Sequence, residues 1–526
     1  MSEAQVALKS GHKESTVIRF AFSIFSPFVG ISCIGLAGQL FTIAYGTDLS
    51  DTFTVLTIIA IWNTINDPIV GWMQDKELLS KYFPFQTWGR RAPWYSTHLL
   101  PNALSVGALY FVPNSMKHPA DGDTAIYIWL LCSAFVMRWA TSHCYTAMKS
   151  ATIEIYPSSA ERLNLEFWFI VFAWAAGIFA IFANAGMIAD GSVGDECNAL
   201  YNETLGEFTV DPDAATDAAT DVGKTGSGQV LGVMFMVAVM SGLFAVPIMR
   251  QAKRKADPTK IDTNWISYMK HIWNDKASRI YMIIICLVEF HSTSAASMYV
   301  YYVKYVSKED QDGTAFYSSM IGVTGLISQI CMGAILKLLF SKGHRPRKWV
   351  IFTKITYSIV APALMLSNVS AWIFLLGFVL ERCAYAPQTY WNTMAKGLCC
   401  DEDALKVPGM RREAWFVSLH HMFASLMGVV VSLYIILADR VFELDTKLCW
   451  GEAQPTKAVN FLWYTFALLQ PLLGLVTAWL VFKFPITGDR LDELEKKTAA
   501  DIKAEREIGE AGEAGGGGST AQVAPE

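Results

Sequence analysis

Charge is scarce in this sequence. Asp, Glu, Lys and Arg make up 17% of its 526 residues, against about 25% in soluble domains. The formal net charge of −5 says little, because the distribution of charge matters more than its sum, and nothing supports nucleic-acid binding. Catalytic signatures are missing as well: there is no HExxH, no GxSxG and no Walker loop. The adjacent pair Cys399-Cys400 does not have the spacing of a zinc site. The sequence therefore implies neither an enzyme nor a cofactor. No cleavable leader is evident, since the first apolar run is too long for a signal core and its flank is only weakly basic.

What the chain has instead is hydrophobic length. Apolar residues are 53% of the total and come in blocks of about 20 or more, enough to cross a hydrocarbon core of about 30 Å. Twelve spans are expected, at about 17–45, 51–75, 94–113, 124–153, 161–189, 228–250, 279–305, 314–340, 349–368, 370–396, 412–439 and 458–484. Backbone groups in lipid must be satisfied within the segment, so the spans are helices and the fold class is an all-α polytopic membrane protein.

Lysine and arginine cluster in alternate loops: Lys76, Lys81, Arg90 and Arg91; Arg250, Lys253, Arg254 and Lys255; Lys342, Arg345, Arg347 and Lys348; Arg411 and Arg412. These loops should face the cytoplasm, together with both termini. The acidic loop at about 190–227 then lies outside, with Cys197. Cys449 is the other outer-loop cysteine, and an oxidising compartment invites a disulfide between the two, with two free thiols as the alternative. Asn202-Glu203-Thr204 in the same loop is a glycosylation sequon at Asn202. The plasma membrane is the first expectation and an organelle membrane the second.

The large basic loop at 251–278 divides the spans six and six. The expected layout is a terminus at 1–16, bundles at 17–250 and 279–484, and a tail at 485–526 that forms a short solvated helix and then a disordered end. Weak repetition crosses the divide: Gly71-x-x-x-Asp75-Lys76 parallels Gly333-x-x-x-Lys337, and Glu161-Arg162 parallels Arg412-Glu413. Two parallel six-helix halves are the pattern of the major facilitator fold.

The stretch Trp62-Asn63-Thr64-Ile65-Asn66-Asp67-Pro68 places a carboxylate inside the second span. Asp67 is about 16 residues in, hence about 24 Å down. A charge there costs several kcal/mol unless it faces a cavity or a partner. Asn63 shares its face at i−4, and Pro68 frees the carbonyl of Thr64. This group is suited to receiving a cation or proton; the alternative is a structural ion pair.

Residues Ile61–Trp72 resemble the second helix of the glycoside–pentoside–hexuronide:cation symporters, typified by the melibiose permease. Trp88-Gly89-Arg90-Arg91-Ala92-Pro93-Trp94 resembles that family's inner-loop motif, and Asp401 with Arg412-Glu413-Ala414 resembles its loop after helix 10. The outer-loop cysteines and sequon resemble the lysolipid symporters of the same branch. The resemblance implies the major facilitator fold and cation-coupled transport. Departures matter too. The family's first helix-2 carboxylate is Asn63 here; a helix-4 carboxylate falls near Tyr145, a helix-11 lysine near Ser425, and a sugar-binding aspartate near Ser32. Sodium and galactoside recognition carry over poorly.

Other ionisable residues at depth should supply what is missing. Arg138 lies near the level of Asp67 and is expected to pair with it, with Tyr145 on the same face. Glu289 and His291, Glu381 and Arg382, and His420 are candidates for the substrate cavity, with structural pairing as the alternative. Trp391 joins them as a ring that stacks on a solute or packs. Lys149 reads as a snorkelling anchor. Asp75, Gly89, Arg90, Arg91 and Arg412 are expected to gate one conformation or to signal topology.

The expected function is secondary transport of a small, sugar-like solute by a monomer in the bilayer. Histidines and buried carboxylates point to a proton as the coupling cation, with sodium as the alternative. A sodium-coupled lysophospholipid symporter, an uncoupled facilitator and a non-transporting sensor are the competing readings.

Overall fold

A computed structural model describes residues 12–500 apart from 46, 114–123, 157–158, 191–200, 203–206, 209–223, 253–264, 309–310, 368, 407–411, 445–453 and 499. Among the described residues the polypeptide forms twelve long helical segments in the expected order. The first, α1, runs through Glu14–Ala21, a 3-10 turn at Phe22–Ile24, Phe25–Gln39 and a π turn at Leu40–Ala44. Then come α2 (Leu49–Asp75), α3 (Ala92–Tyr110), α4 (Thr124–Ile155), α5 (Ser159–Asp190) and α6 (Lys224–Met249). The second half has α7 (Lys276–Tyr301, continued by a π turn at Tyr302–Val306), α8 (Gln311–Ser341), α9 (Pro346–Ser367), α10 (Ala371–Lys406) and α11 (Glu413–Arg440). It closes with α12, formed by Thr456–Tyr464, a π turn at Thr465–Leu469 and Gln470–Lys483.

Among the described residues, ten helices are long and apolar enough to cross a membrane. The two that fall short are α3 and α10, and their polar content explains it. Ser96, Thr97, His98 and Asn102 interrupt α3; Glu381, Arg382, Gln388 and Lys396 interrupt α10. Both still lie in the bundle, where Asn102 meets Ser26 and Thr141 and Glu381 meets Arg382 and His291.

The amphipathic logic is clearest in α2. Ile61, Ile65 and Ile69 are 47%, 55% and 42% exposed. They repeat every four residues and form a lipid-facing stripe. Asn63 and Asp67 fall on the opposite, buried face. Asp48 caps the helix by accepting from the Asp51 amide at 3.0 Å.

The largest apolar cluster draws only on residues between Val17 and Ala252, so α1–α6 share one core. Two further clusters belong mainly to α7–α12, but Ile153 joins one and Phe53 the other. The halves meet along α2 and α11 and along α5 and α8. Gly71 permits the first approach: a Cβ there would lie 2.8 Å from the Ala414 carbonyl oxygen. We call the end at which α2 stops and α11 starts the basic end.

The tail differs from the solvated helix expected. Residues 489–498 are helical, and Leu491 and Leu494 are buried in the core of the second half. Arg490 pairs with Glu402 of α10, and Arg345 bonds Asp492 at 2.6 Å. Alternating leucines and charges gave this short helix a docking face. In the central loop, residues 265–274 form a further helix. The acidic loop holds a two-stranded ladder, Tyr201–Asn202 against Glu207–Phe208. Cys197 and Cys449 lie outside the described residues, as do Glu203 and Thr204 of the sequon.

Candidate functional site

Asp67 is 2% exposed and sits 18 residues into α2. Its carboxylate accepts from the Ser142 hydroxyl of α4 at 2.6 Å, the Asn63 amide at 3.2 Å and the Ser425 hydroxyl of α11 at 3.3 Å. Asn63 also donates to Ser425 at 2.5 Å and accepts from Ser142 at 3.3 Å. Three helices from both halves therefore converge on one carboxylate. All of its bonded neighbours are neutral.

The direct pair expected between Asp67 and Arg138 is not formed. Their charges interact, but the Arg138 Nε is buried without a hydrogen-bond partner. Ser142, one turn further along α4, occupies the bonding position instead. Tyr145 projects to the interface between the halves, where its ring meets His421 edge-on at 4.5 Å.

Below Asp67 towards the basic end lies a group that sequence reasoning mostly missed. Lys149 of α4 bonds Glu166 of α5 at 3.2 Å, both nearly fully buried. Its ammonium also lies over the Phe169 ring at 4.2 Å, so it is an interior charge and not a snorkelling anchor. Lys396 of α10 is 6% exposed and interacts through its charge with Lys149, Glu166 and Glu289. Nothing in the local sequence marks Lys396, because it lies near the end of a span where basic residues are ordinary. His420 bonds the Tyr281 hydroxyl through Nδ1 at 2.7 Å, and His421 keeps a buried Nε2 without a partner.

The remaining cavity candidates separate. Glu289 faces Lys396 and Tyr145. His291, two residues on, turns into the second half and approaches Glu381 at 3.3 Å. Helical geometry forbids i and i+2 from sharing a face. Glu381 also meets Arg382 at 3.0 Å, and Lys354 of α9 interacts with both. Trp391 is a packing residue: it is fully buried between Tyr281 and Phe484. Its large apolar surface went into the core of the second half.

At the basic end Asp75 organises an ionic network. It accepts from Arg91 at 2.8 Å, from Arg90 at 3.3 Å and from the Trp415 amide at 2.9 Å. Arg91 also bonds Glu154 at 2.6 Å, and Glu413 stands 3.7 Å from it. Trp415 lies in the first turn of α11, so Asp75 of one half satisfies a helix N-terminus of the other. Gly89 adopts φ +63°, and a Cβ there would meet the Ala252 carbonyl oxygen at 2.8 Å. A second link between the halves joins Arg162 to Asp401 at 2.9 Å. Arg412, expected in this gate, forms a forked bond with Asp403 of its own half at 2.8 and 2.9 Å. The helical end of α10 runs on to Lys406 and brings Asp403 within its reach.

The opposite end is bridged by neutral or singly charged contacts. Arg440 donates to the Ser50 hydroxyl at 3.1 Å there, and midway along the bundle Trp174 of α5 donates to Gln329 of α8 at 2.5 Å.

Residues 39–488 match the family described as MFS/sugar transport protein. The chain belongs to that family. It is an integral, multi-pass membrane protein of the major facilitator fold. A curated relative, an uncharacterized symporter of Synechocystis sp. (strain ATCC 27184 / PCC 6803 / Kazusa), is 27% identical over 111 residues. That match spans 21% of this chain and only 18% of the relative's length. Among solved structures, a bacterial homologue of the iron transporter ferroportin, outward-facing with soaked iron, aligns with TM-score 0.54 and 12% identity over 90% of this chain and 99% of that one. The transporter FucP in its outward conformation aligns with TM-score 0.53 and 15% identity over 89% and 99%. At these identities the structures establish the fold alone.

Proposed function

We propose that this protein is a secondary active transporter that moves a small organic solute by alternating access, with a proton bound and released at Asp67. The observation that carries this reading is the setting of Asp67. A carboxylate in mid-bundle is held by Ser142 of one half and Ser425 of the other, and the hydrogen bonds it accepts come from neutral side chains. A change of its charge alters bonds to both halves at once, which is what coupling requires. The ionic network around Asp75 would close the basic end, and the weaker contacts at the opposite end would part first. In this reading residues 17–250 and 279–484 are the moving halves. The basic end and both termini face the cytoplasm, the protein works as a monomer in the plasma membrane, and the solute is sugar-like. The residues around Asp67 and Gly89 support a place near the glycoside–pentoside–hexuronide symporters.

One observation favours sodium as a second reading. The oxygens of Asn63, Ser142 and Ser425 surround the carboxylate, and oxygen ligands suit a hard cation.

The test is accumulation of labelled solutes in proteoliposomes under an imposed pH gradient, a sodium gradient or neither. A pH gradient should drive accumulation. Asp67→Asn should abolish that while leaving solute exchange measurable. Uptake driven only by sodium would favour the second reading; uptake indifferent to both gradients would leave a facilitator.

A further inference from the structure

Beneath Asp67 the halves bring together more positive charge than negative. Lys149 and Glu166 form a pair at 3.2 Å within the first half. Facing them from the second half, Lys396 is 6% exposed and makes no ion pair or hydrogen bond among the described residues. Glu289 acts on it only through space. Next to this group, Glu381 contacts Arg382 at 3.0 Å and His291 at 3.3 Å, and Lys354 acts on it through charge. Tyr385 interacts with Glu289, Arg382 and Glu381 alike, so the two groups adjoin. Lys149, Lys396, Lys354 and Arg382 are thus set against Glu166, Glu289 and Glu381. Asp67 and Arg138 balance each other above.

An uncompensated buried cation is strongly unfavourable, and the usual remedy is a partner of opposite sign. Among the described residues none contacts Lys396 in that role; Glu166 and Glu289 act on it only at a distance. The surroundings are nevertheless polar: His420 and His421 interact with its charge, and Tyr281 and Tyr145 contact those two histidines. His421 keeps an open Nε2 there. Glu289, Tyr145 and Tyr385 also keep partial exposure deep in the bundle, so they border open space between the halves.

We propose that Lys396 and Lys149 receive the carboxylate of the transported solute at the interface between α10 and α4. The inference rests on the transport reading and narrows its substrate to a class, a small monocarboxylate. The excess of one positive charge fits a single negative charge. A ligand held by lysines from both halves would also draw the halves together, which is how a solute can trigger closure.

Binding is measured on the purified full-length protein, free of any gradient. Lactate and gluconate are titrated against lactamide and glucose at constant ionic strength, with thermal unfolding as the readout. The carboxylates should raise the melting temperature saturably and the neutral analogues should not. Lys396→Met should weaken the apparent affinity at least about thirtyfold, and Lys396→Arg should retain most of it. Lys149→Met provides a second variant and should weaken binding in the same direction. Without ligand, Lys396→Met should melt no lower than the parent, because it removes an unpaired buried charge. Equal shifts by lactate and lactamide, no shift by either carboxylate, or full affinity in Lys396→Met would overturn the proposal. Carboxylate binding with no gradient-driven accumulation would sink the transport reading and leave the site standing.

Discussion

Replacing Asp75 with asparagine tests whether the basic end is latched as its geometry implies. Asp75 is fully buried. One of its oxygens takes both Arg90 and Arg91, and the other takes the Trp415 amide at 2.9 Å. Asparagine has one acceptor oxygen, so its amide must face either the guanidinium groups or the Trp415 N–H, donor against donor. Arg91 keeps Glu154 at 2.6 Å, and the first half should hold. The bond lost between the halves is charge-assisted and worth about 1.5–3 kcal/mol. At about 1.4 kcal/mol per tenfold, opening should become about 10- to 150-fold more favourable. Cys400 reports it: the thiol is 7% exposed beside the Arg162–Asp401 link. With the other cysteines replaced by serine, Asp75→Asn should speed its alkylation by a membrane-impermeant maleimide by that factor. Arg345→Ala, which breaks an exposed pair with Asp492 inside the second half, should leave the rate near the parent's. Unchanged alkylation in Asp75→Asn, or equal acceleration in both variants, would refute the latch.

Three further outcomes follow from local geometry. In Gly397→Ala the added methyl collides with the Arg162 guanidinium, so the Arg162–Asp401 link should loosen; overpacking costs about 1–3 kcal/mol, read as a lower melting temperature in detergent. Gly89→Ala forces a side chain into the left-handed region and against the Ala252 carbonyl; backbone strain of about 1–2 kcal/mol should lower yield and melting temperature together. Asp275, just outside the span, caps α7 through the Ser278 amide at 2.8 Å and meets Lys406 at 2.6 Å. Burial pushes its carboxyl up, but the bonds from Lys406 and Ser278 outweigh that and hold it below its ordinary value. Its stabilisation is therefore present above the unfolded carboxylate range and fades as pH falls through the lowered folded value. Asp275→Ala should cost about 1 kcal/mol at pH 7, and the gap to the parent should narrow as pH falls below the ordinary carboxylate range. A gap that stayed constant across that range would contradict the assignment.

Much of the site was legible where it rested on local depth and spacing. Asp67 and Asn63 could be named together because a carboxylate beside a proline in an apolar span is costly wherever the span goes. Arg90, Arg91 and Asp75 could be named because clustered charge at a span end is conspicuous. Lys396, Glu166 and Lys354 could not. Each sits within a few turns of a span end, where a charge is ordinary, and only the neighbouring helices turn it into an interior group. The Asp403 partner of Arg412 was not legible for the converse reason: it is set by how far α10 continues.

The sequence by itself determined the twelve-segment plan, since a low-dielectric surrounding permits only helices of that length, and it marked the end where cations gather. The tertiary structure alone decided which charges meet. Pairing across helices depends on rotation and close approach, as at Gly71 against α11, and neither is encoded in spacing along one chain segment. That is why Asp67 rests on two serines from opposite halves and not on the arginine at its own level.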